Sequence, residues 1–390
     1  MDLEARVLTL VDGRSFSFAL VCAATGARPR AAHPHPAVRV LRDTDSVHAL
    51  AAELRGARRV VIAGNGGIAL GLAAALSAVD VVWAAKHGHV GDAFFDADAA
   101  AWLARRLVAA REGEEEGGGD AAAPTAKAAP PTTTTTTARA GFGAAAGPGW
   151  ADALAAAAGG QGRRGALDVR LLATVSDVAS PGPGDWPITV TLSTGDSFPA
   201  DAVVSAVGVA PDTAWLPASL ARAPDGGLWV DTDARASHPA LYAAGDAATV
   251  RPDAAGAHWF QMRLWTQARA LGALAGAAMA GVPPADRGLS LELFAHATTF
   301  AGARAVLLGR YDGQGLEKED AATLASYVRE TDAGFARILL HRGAVAGAVL
   351  LGEDAEMAGV LEDLILDGVD VSFLGARLLD PDLDLDAVFD

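Results

Sequence analysis

Residues 60–63, Val-Val-Ile-Ala, run straight into Gly64-Asn65-Gly66-Gly67-Ile68-Ala69, and an Ala-rich stretch of helical character follows to Leu76. Each small residue in that turn has a physical task. Gly64 permits the tight passage from strand to helix, Gly66 lets the backbone approach a pyrophosphate, and Ala69 lets the helix lie close to the sheet. Phosphates would then rest on the free amides of the helix N-terminus, where the dipole favours negative charge. A second strand, Asp80 to Lys86, should end beside an adenosine ribose, where an acidic residue is the usual partner of the 2′-hydroxyl. Here the strand ends in Ala84 and Ala85, followed by Lys86, His87 and His89. Nothing repels a 2′-phosphate and Lys86 attracts one, so NADPH is admitted beside NADH.

A second constellation is Pro239-Ala-Leu-Tyr-Ala-Ala-Gly245-Asp246. A strand delivers a carboxylate at its C-terminal edge beside a glycine, which allows close approach to a polyol whose hydroxyls the carboxylate can accept. Downstream, a helix is expected from His258 to about Met279, its first-turn amides suited to an electron-rich carbonyl of a flat ring. His33 with His35 and His87 with His89 lack carboxylate or thiolate partners at ligand spacing and read as loop histidines. His296 reads as a hydrogen-bonded structural histidine. No Gly-x-Ser-x-Gly elbow supports nucleophilic hydrolysis. The single cysteine, Cys22, excludes an intramolecular disulfide framework, a Cys-x-x-Cys redox pair and a zinc-thiolate cluster, and its apolar strand makes it a core residue.

The elements that must position these groups fit a chain of 390 residues with two or three domains and 51% hydrophobic residues. A net charge of −16 argues against nucleic-acid binding by field alone. No apolar run reaches the ~18 residues of a membrane helix, and the first residues lack a secretion signal, so a cytoplasmic or nuclear protein is expected. Arg6–Val11, Asp12-Gly13 and Ser15–Ala23 read as a hairpin. Val47–Leu54 reads as a helix capped by Asp45 or Ser46. From Glu112 to Gly149 the composition collapses into Glu-Gly runs, Ala-Pro repeats and six threonines, Thr132–Thr137; a linker or insertion read as disordered to about Arg139 is expected there. Ala151–Gly165 reads as poorly ordered or a short helix. Order returns at Leu167–Val175, with a hairpin at Ile188–Leu192 and Ser197–Phe198. The buried strand 202–207 ends in Gly208-Val-Ala-Pro211, and its likeness to Leu20–Pro29 suggests two related crossings between domains. The last hundred residues read strand-rich, then helical through Met357–Leu366; the acidic tail, Asp380 to Asp390, reads as a solvated end or as a segment that docks a partner.

Ala24-Thr25-Gly26, Gly64–Ala69, Gly208 with Pro211 and Tyr242-Ala-Ala-Gly-Asp246 stand in the order of the two-dinucleotide flavoprotein reductases. Gly64-Asn-Gly-Gly-Ile-Ala-Leu with Trp83, Phe94-Phe-Asp, Gln261-Met-Arg-Leu-Trp-Thr-Gln-Ala-Arg269, Leu293-Phe-Ala-His296 and the Leu379–Asp390 tail resemble one branch of them. That branch is the pyridine nucleotide-disulfide oxidoreductase domain-containing flavoproteins of eukaryotes, associated with protecting the tRNA-splicing ligase from oxidation. The resemblance runs from about Leu8 to Asp390 outside the low-complexity stretch. It implies an α/β fold of two Rossmann-like dinucleotide-binding domains and a C-terminal αβ interface domain. It divides the chain into a partial FAD domain (1–42), an NAD(P) domain (43–210) with an insertion at about 112–149, the second part of the FAD domain (211–288) and the interface domain (289–390).

By the same resemblance, FAD and NAD(P)H are the cofactors and hydride passes from nicotinamide to flavin. Asp246 would hold the ribityl chain, with Gly245 allowing its approach and Thr25 and Gly26 on the flavin side. The backbone of Gln261, Met262 and Arg263 would face the isoalloxazine, and Gly208 would border the nicotinamide. Without a redox Cys pair, electrons cannot pass to a protein disulfide. The tRNA-splicing ligase complex is the implied partner; direct nucleic-acid contact and membrane are not expected, and the oligomeric state is open. One departure stands out: nothing before Gly64 supplies the Gly-x-Gly-x-x-Gly that holds the ADP half of FAD. The expectation is an N-terminally truncated reductase, and the alternative is a redox-inactive NAD(P)-binding adaptor or sensor without FAD.

Overall fold

A computed structural model describes residues 1–112, 149–159, 164–287, 291–380 and 383. The expected linker, apart from its two ends, and the acidic tail beyond Asp380, apart from Leu383, lie outside the described residues.

The nucleotide strand sits at the centre of a five-stranded parallel sheet ordered Val38–Val40, Ala202–Ala206, Arg59–Gly64, Asp80–Ala85, Leu167–Leu171. A central parallel strand is covered on both faces and therefore reads as a continuous apolar run. Val60, Val61, Ile62 and Ala63 are all buried. Val60 and Ile62 face the helices α1 (Thr44–Glu53), α2 (Gly67–Ala75), α3 (Ala97–Glu112) and α4 (Trp150–Ala158), while Val61 and Ala63 face an antiparallel sheet of Val175–Ala179, Ile188–Leu192 and Ser197–Ala200. Val38–Val40, which the expected boundary at residue 42 leaves outside, belongs to this sheet. The cap of α1 is Asp43 rather than Asp45 or Ser46. Its carboxylate accepts from the Ser46 amide at 2.9 Å, and the Asp43 amide donates back to Ser46 Oγ at 2.9 Å, a reciprocal box that satisfies two helix-end donors. The stretch Ala151–Gly165, read as poorly ordered or a short helix, carries the helix α4.

The expected strand 15–23 divides in two. Ser15–Ser17 returns on Val7–Thr9, whereas Val21–Ala23 pairs in parallel with Leu241–Ala243. The two crossings that look alike in sequence pair with each other, Ala27–Pro29 antiparallel to Val209–Pro211. Helix α5 (Trp265–Met279) starts at Trp265, not at His258. Two glutamines explain the delay. Gln267 Oε1 accepts from the Met262 amide at 2.8 Å and its Nε2 donates to the Phe260 carbonyl at 2.8 Å. Gln261 Nε2 donates to the Ala248 carbonyl at 2.7 Å and its Oε1 accepts from the Val250 amide at 2.8 Å. These side chains hold residues 260–262 against Ala248–Val250 in place of helical hydrogen bonds.

The C-terminal unit is an antiparallel sheet ordered Ala295–Phe300, Ala303–Gly309, Ala344–Gly352, Gly334–His341, Leu324–Glu330, with α6 (Ala358–Asp367) packed on it through Leu361, Leu364 and Ile365. The molecule is thus α/β, with a parallel sheet and a C-terminal αβ unit whose Phe294, Phe300, Tyr311 and Phe335 share one core with α2 and α3. Among the described residues no helix is long and apolar enough to cross a membrane.

Candidate functional site

Two strand ends open into one cavity of about 1660 Å³. Arg59–Gly64 delivers Gly64, Asn65, Gly66, Gly67 and Ile68 to its wall; Leu241–Ala243 delivers Gly245 and Asp246. Gly66 caps α2 with no side-chain hydrogen bond, and among the described residues no side chain takes the first amides of the helix, which suits them to an anion. The turn is braced from both sides. Trp83 Nε1 donates to the Gly64 carbonyl at 2.7 Å, and Asn65 bridges to the His89 carbonyl at 2.8 Å and the Gly91 amide at 2.7 Å.

On the opposite wall Gly245 adopts φ +63°, a left-handed conformation that favours glycine. Burial raises the Asp246 carboxyl above its ordinary range, opposed by the Arg263 charge, and no hydrogen bond to that carboxylate is found among the described residues. Arg263 Nε donates to the Asp246 carbonyl at 3.1 Å and its Nη2 to Asp225 Oδ2 at 2.9 Å, which fixes the wall beside the carboxylate. An acceptor in this state suits the hydroxyls of a polyol.

The structure brings Gly26, Gly64, Asn65, Gly66, Gly67, Ile68, Lys86, Gly208, Gly245, Asp246, Met262 and Arg263 to the cavity wall. Three of the expected residues do not line it. Ala69, within α2, is fully buried. Thr25 Oγ1 donates to the Asp212 carbonyl at 2.7 Å, tying the two crossings together. Gln261 spends its amide on Ala248 and Val250, and the Met262 amide is taken by Gln267, so that backbone donor is not free for a ring carbonyl.

The histidine pair His87 and His89 does have a carboxylate: Asp92 lies 2.7 Å from His87 Nδ1 and 3.5 Å from His89 Nε2. Only chain folding after the strand brings it there, and no group of metal-holding character is found among the described residues. Sequence reasoning passed over Trp150, which lines the cavity from α4 against Gly71; a Cβ on Gly71 would stand 2.8 Å from the indole. A glycine inside an otherwise good helix was the available signal.

His296 also lines the cavity. It is 8% exposed and its ring stacks on Phe94, with centroids 5.9 Å apart. The hydrogen bond expected of it is absent among the described residues, and Nδ1 is sealed without a partner. Burial pushes its pKa down to about 4 from an ordinary 6.5. Between those values the unfolded chain binds a proton that the folded chain refuses, so stability falls as pH drops through the window. Urea unfolding of the parent and His296→Phe at pH 7 and 4.5 should therefore show the balance moving towards the variant by about 2–3 kcal/mol at the lower pH. An equal pH dependence in the two would mean that the imidazole protonates freely.

The fold and the paired strand ends define the architecture of the FAD- and NAD(P)-linked oxidoreductases. The water-forming NADH oxidase of Lactobacillus brevis, solved bound to NADH, superposes with a TM-score of 0.69 at 16% identity, over 96% of this chain and 74% of that one. A ferredoxin reductase from Rhodopseudomonas palustris gives 0.69 at 19% identity, over 100% and 80%. Residues 146–272 match the family described as pyridine nucleotide-disulphide oxidoreductase. Pyridine nucleotide-disulfide oxidoreductase domain-containing protein 1 of Mus musculus is 35% identical over 97% of this chain and 80% of its own length, and that of Drosophila melanogaster is 33% identical over 97% and 80%. The chain belongs to this pyridine nucleotide-disulfide oxidoreductase domain-containing protein 1 family.

Proposed function

We propose that the chain is an FAD-dependent NAD(P)H oxidoreductase that takes hydride from nicotinamide and passes the electrons on without a protein disulfide. The observation that carries this reading is the single cavity shared by the Gly64–Ile68 turn and the Gly245-Asp246 strand end. The residues present fit the flavin and ribityl end of FAD: Asp246 offers a carboxylate with no hydrogen bond among the described residues, Gly245 permits close approach, and Met262 and Arg263 border the same space. When bound, FAD supplies a two-electron acceptor for the hydride. The protein holds the NAD(P)H pyrophosphate on the α2 amides, places Gly208 beside the nicotinamide side, and leaves Lys86 exposed at the adenosine end to attract a 2′-phosphate. With Cys22 the sole cysteine, the acceptor of the electrons lies outside the polypeptide.

The visible spectrum of the purified chain, with and without added FAD and then with NADPH under anaerobic conditions, tests the reading. Bleaching of a bound flavin band is expected. A protein that binds NADPH yet stays colourless with FAD present would overturn it in favour of a nucleotide-binding adaptor.

We further propose, on the strength of family membership, that the reduced protein shields a tRNA-splicing ligase from oxidation in the cytoplasm or nucleus. Ligase activity followed in air should decay more slowly with this chain and NADPH than with NADPH alone. Identical decay would sink the proposal.

A further inference from the structure

We propose that His296 is the positioning residue for the nicotinamide end of NAD(P)H, its imidazole hydrogen-bonding the carboxamide from the wall of the cavity. The inference rests on the reading of that cavity as the NAD(P)H site.

Place comes first. The adenosine end of the nucleotide belongs at Lys86, beyond the strand Asp80–Ala85, so the other end must extend from the Gly64–Ile68 turn towards the Asp246 side of the cavity. Phe94 stands on that route. A Cβ on Gly67 would lie 3.3 Å from the Phe94 ring, and Phe300 closes the same corner at 3.6 Å. From the far side the Tyr311 hydroxyl donates to the Ala93 carbonyl at 3.0 Å and touches Met262 Sδ at 3.6 Å. The segment that carries Phe94 is thereby wedged between the phosphate-binding turn and the Met262 wall. His296, stacked on Phe94 with 24° between the rings, occupies the corner where the reacting end of the nucleotide would arrive.

Chemistry comes second. A histidine more than nine-tenths buried, with no hydrogen bond to its ring among the described residues, carries a desolvation cost. A phenylalanine would fill the same corner against Phe94 and Phe300 without that cost. Nδ1 is sealed inside the protein, so Nε2 is the ring nitrogen left to the cavity, and as donor or acceptor it matches one end of a carboxamide, which offers both. Neutrality matters in a second way. Oxidised nicotinamide is a cation, which an imidazolium would repel, whereas the uncharged ring held by this site accepts both redox states.

The test compares two ligands on the full chain: NADPH, and 2′-phospho-ADP-ribose, which has every part of NADP except nicotinamide. His296→Phe keeps the aromatic packing and removes both nitrogens, while His296→Gln keeps a donor and an acceptor. His296→Phe is expected to weaken NADPH about tenfold, the equivalent of one hydrogen bond of ~1.4 kcal/mol. It should leave 2′-phospho-ADP-ribose within twofold, and His296→Gln should keep most of the NADPH affinity. Equal weakening of both ligands would reduce His296 to a structural residue, and unchanged NADPH affinity would remove it from the site; either result overturns the proposal. A parent protein that binds neither ligand would overturn the cavity reading itself, a failure separable from that of His296 because it appears before any substitution is made.

Discussion

Gly64→Ala is expected to lower stability by about 4 kcal/mol and to abolish nucleotide binding with it. Gly64 holds φ +135°, outside the range of L side chains, and a Cβ there would stand 2.2 Å from the Ala206 carbonyl oxygen and 2.5 Å from its carbon. Backbone strain of roughly 1–3 kcal/mol combines with overpacking of roughly 1–3 kcal/mol. The clash is with backbone of the neighbouring strand, so no rotamer change relieves it. Gly66→Ala separates the two duties of the turn, because a Cβ at Gly66 meets nothing within 4 Å. That variant should unfold in urea with the parent and yet bind NADPH at least tenfold more weakly, since the added methyl stands where the pyrophosphate must approach. If both variants unfold early, or Gly66→Ala binds normally, the turn does not hold a dinucleotide in the way described.

Arg111→Ala should cost a similar amount, about 4 kcal/mol, at a site far less visible in the sequence. Arg111 is 6% exposed, and burial lowers the pKa of its guanidinium. Its Nη1 donates to the Ala73 carbonyl at 2.8 Å, and its Nη2 to the carbonyls of Val79 at 2.9 Å and Gly165 at 3.1 Å. One cation thus closes the end of α2 and the entries to the strands Asp80–Ala85 and Leu167–Leu171. Hydrogen bonds from a charged donor contribute about 1.5–3 kcal/mol each, and acceptors left buried and unpaired add to the loss. Arg111→Met, which replaces the stem but not the donors, should recover no more than about 1 kcal/mol of it. Full recovery in the methionine variant, measured by urea unfolding, would show that the stem and not the guanidinium holds this edge together.

These two residues mark how far a linear reading reaches. Gly64 was legible because its constraint is local: a buried strand, a turn and a helix follow one another, and the spacing of small residues exposes the task. Gly245 and Asp246 were legible for the same reason. Arg111 was not, because its four carbonyl partners, on Ala73, Val79, Gly165 and Ala166, come from segments far apart in the chain. The late start of α5 was illegible for a related reason, since Gln261 and Gln267 hold the preceding backbone through their side chains. Asp92 reaches His87 and His89 only after the chain bends back on itself.

The amino-acid sequence by itself determined the α/β class, the strand that bears the dinucleotide turn, the glycine and aspartate at the second strand end, and the lack of a cysteine pair. Each follows from periodicity, spacing or composition within a few neighbouring residues. Only the tertiary structure decided that the two strand ends share one cavity, that Thr25, Ala69 and Gln261 do not line it, and that His296 enters its wall with no partner among the described residues. Those outcomes depend on burial and on contacts between residues far apart in the chain, and the free energy of a polar group depends on what surrounds it after folding.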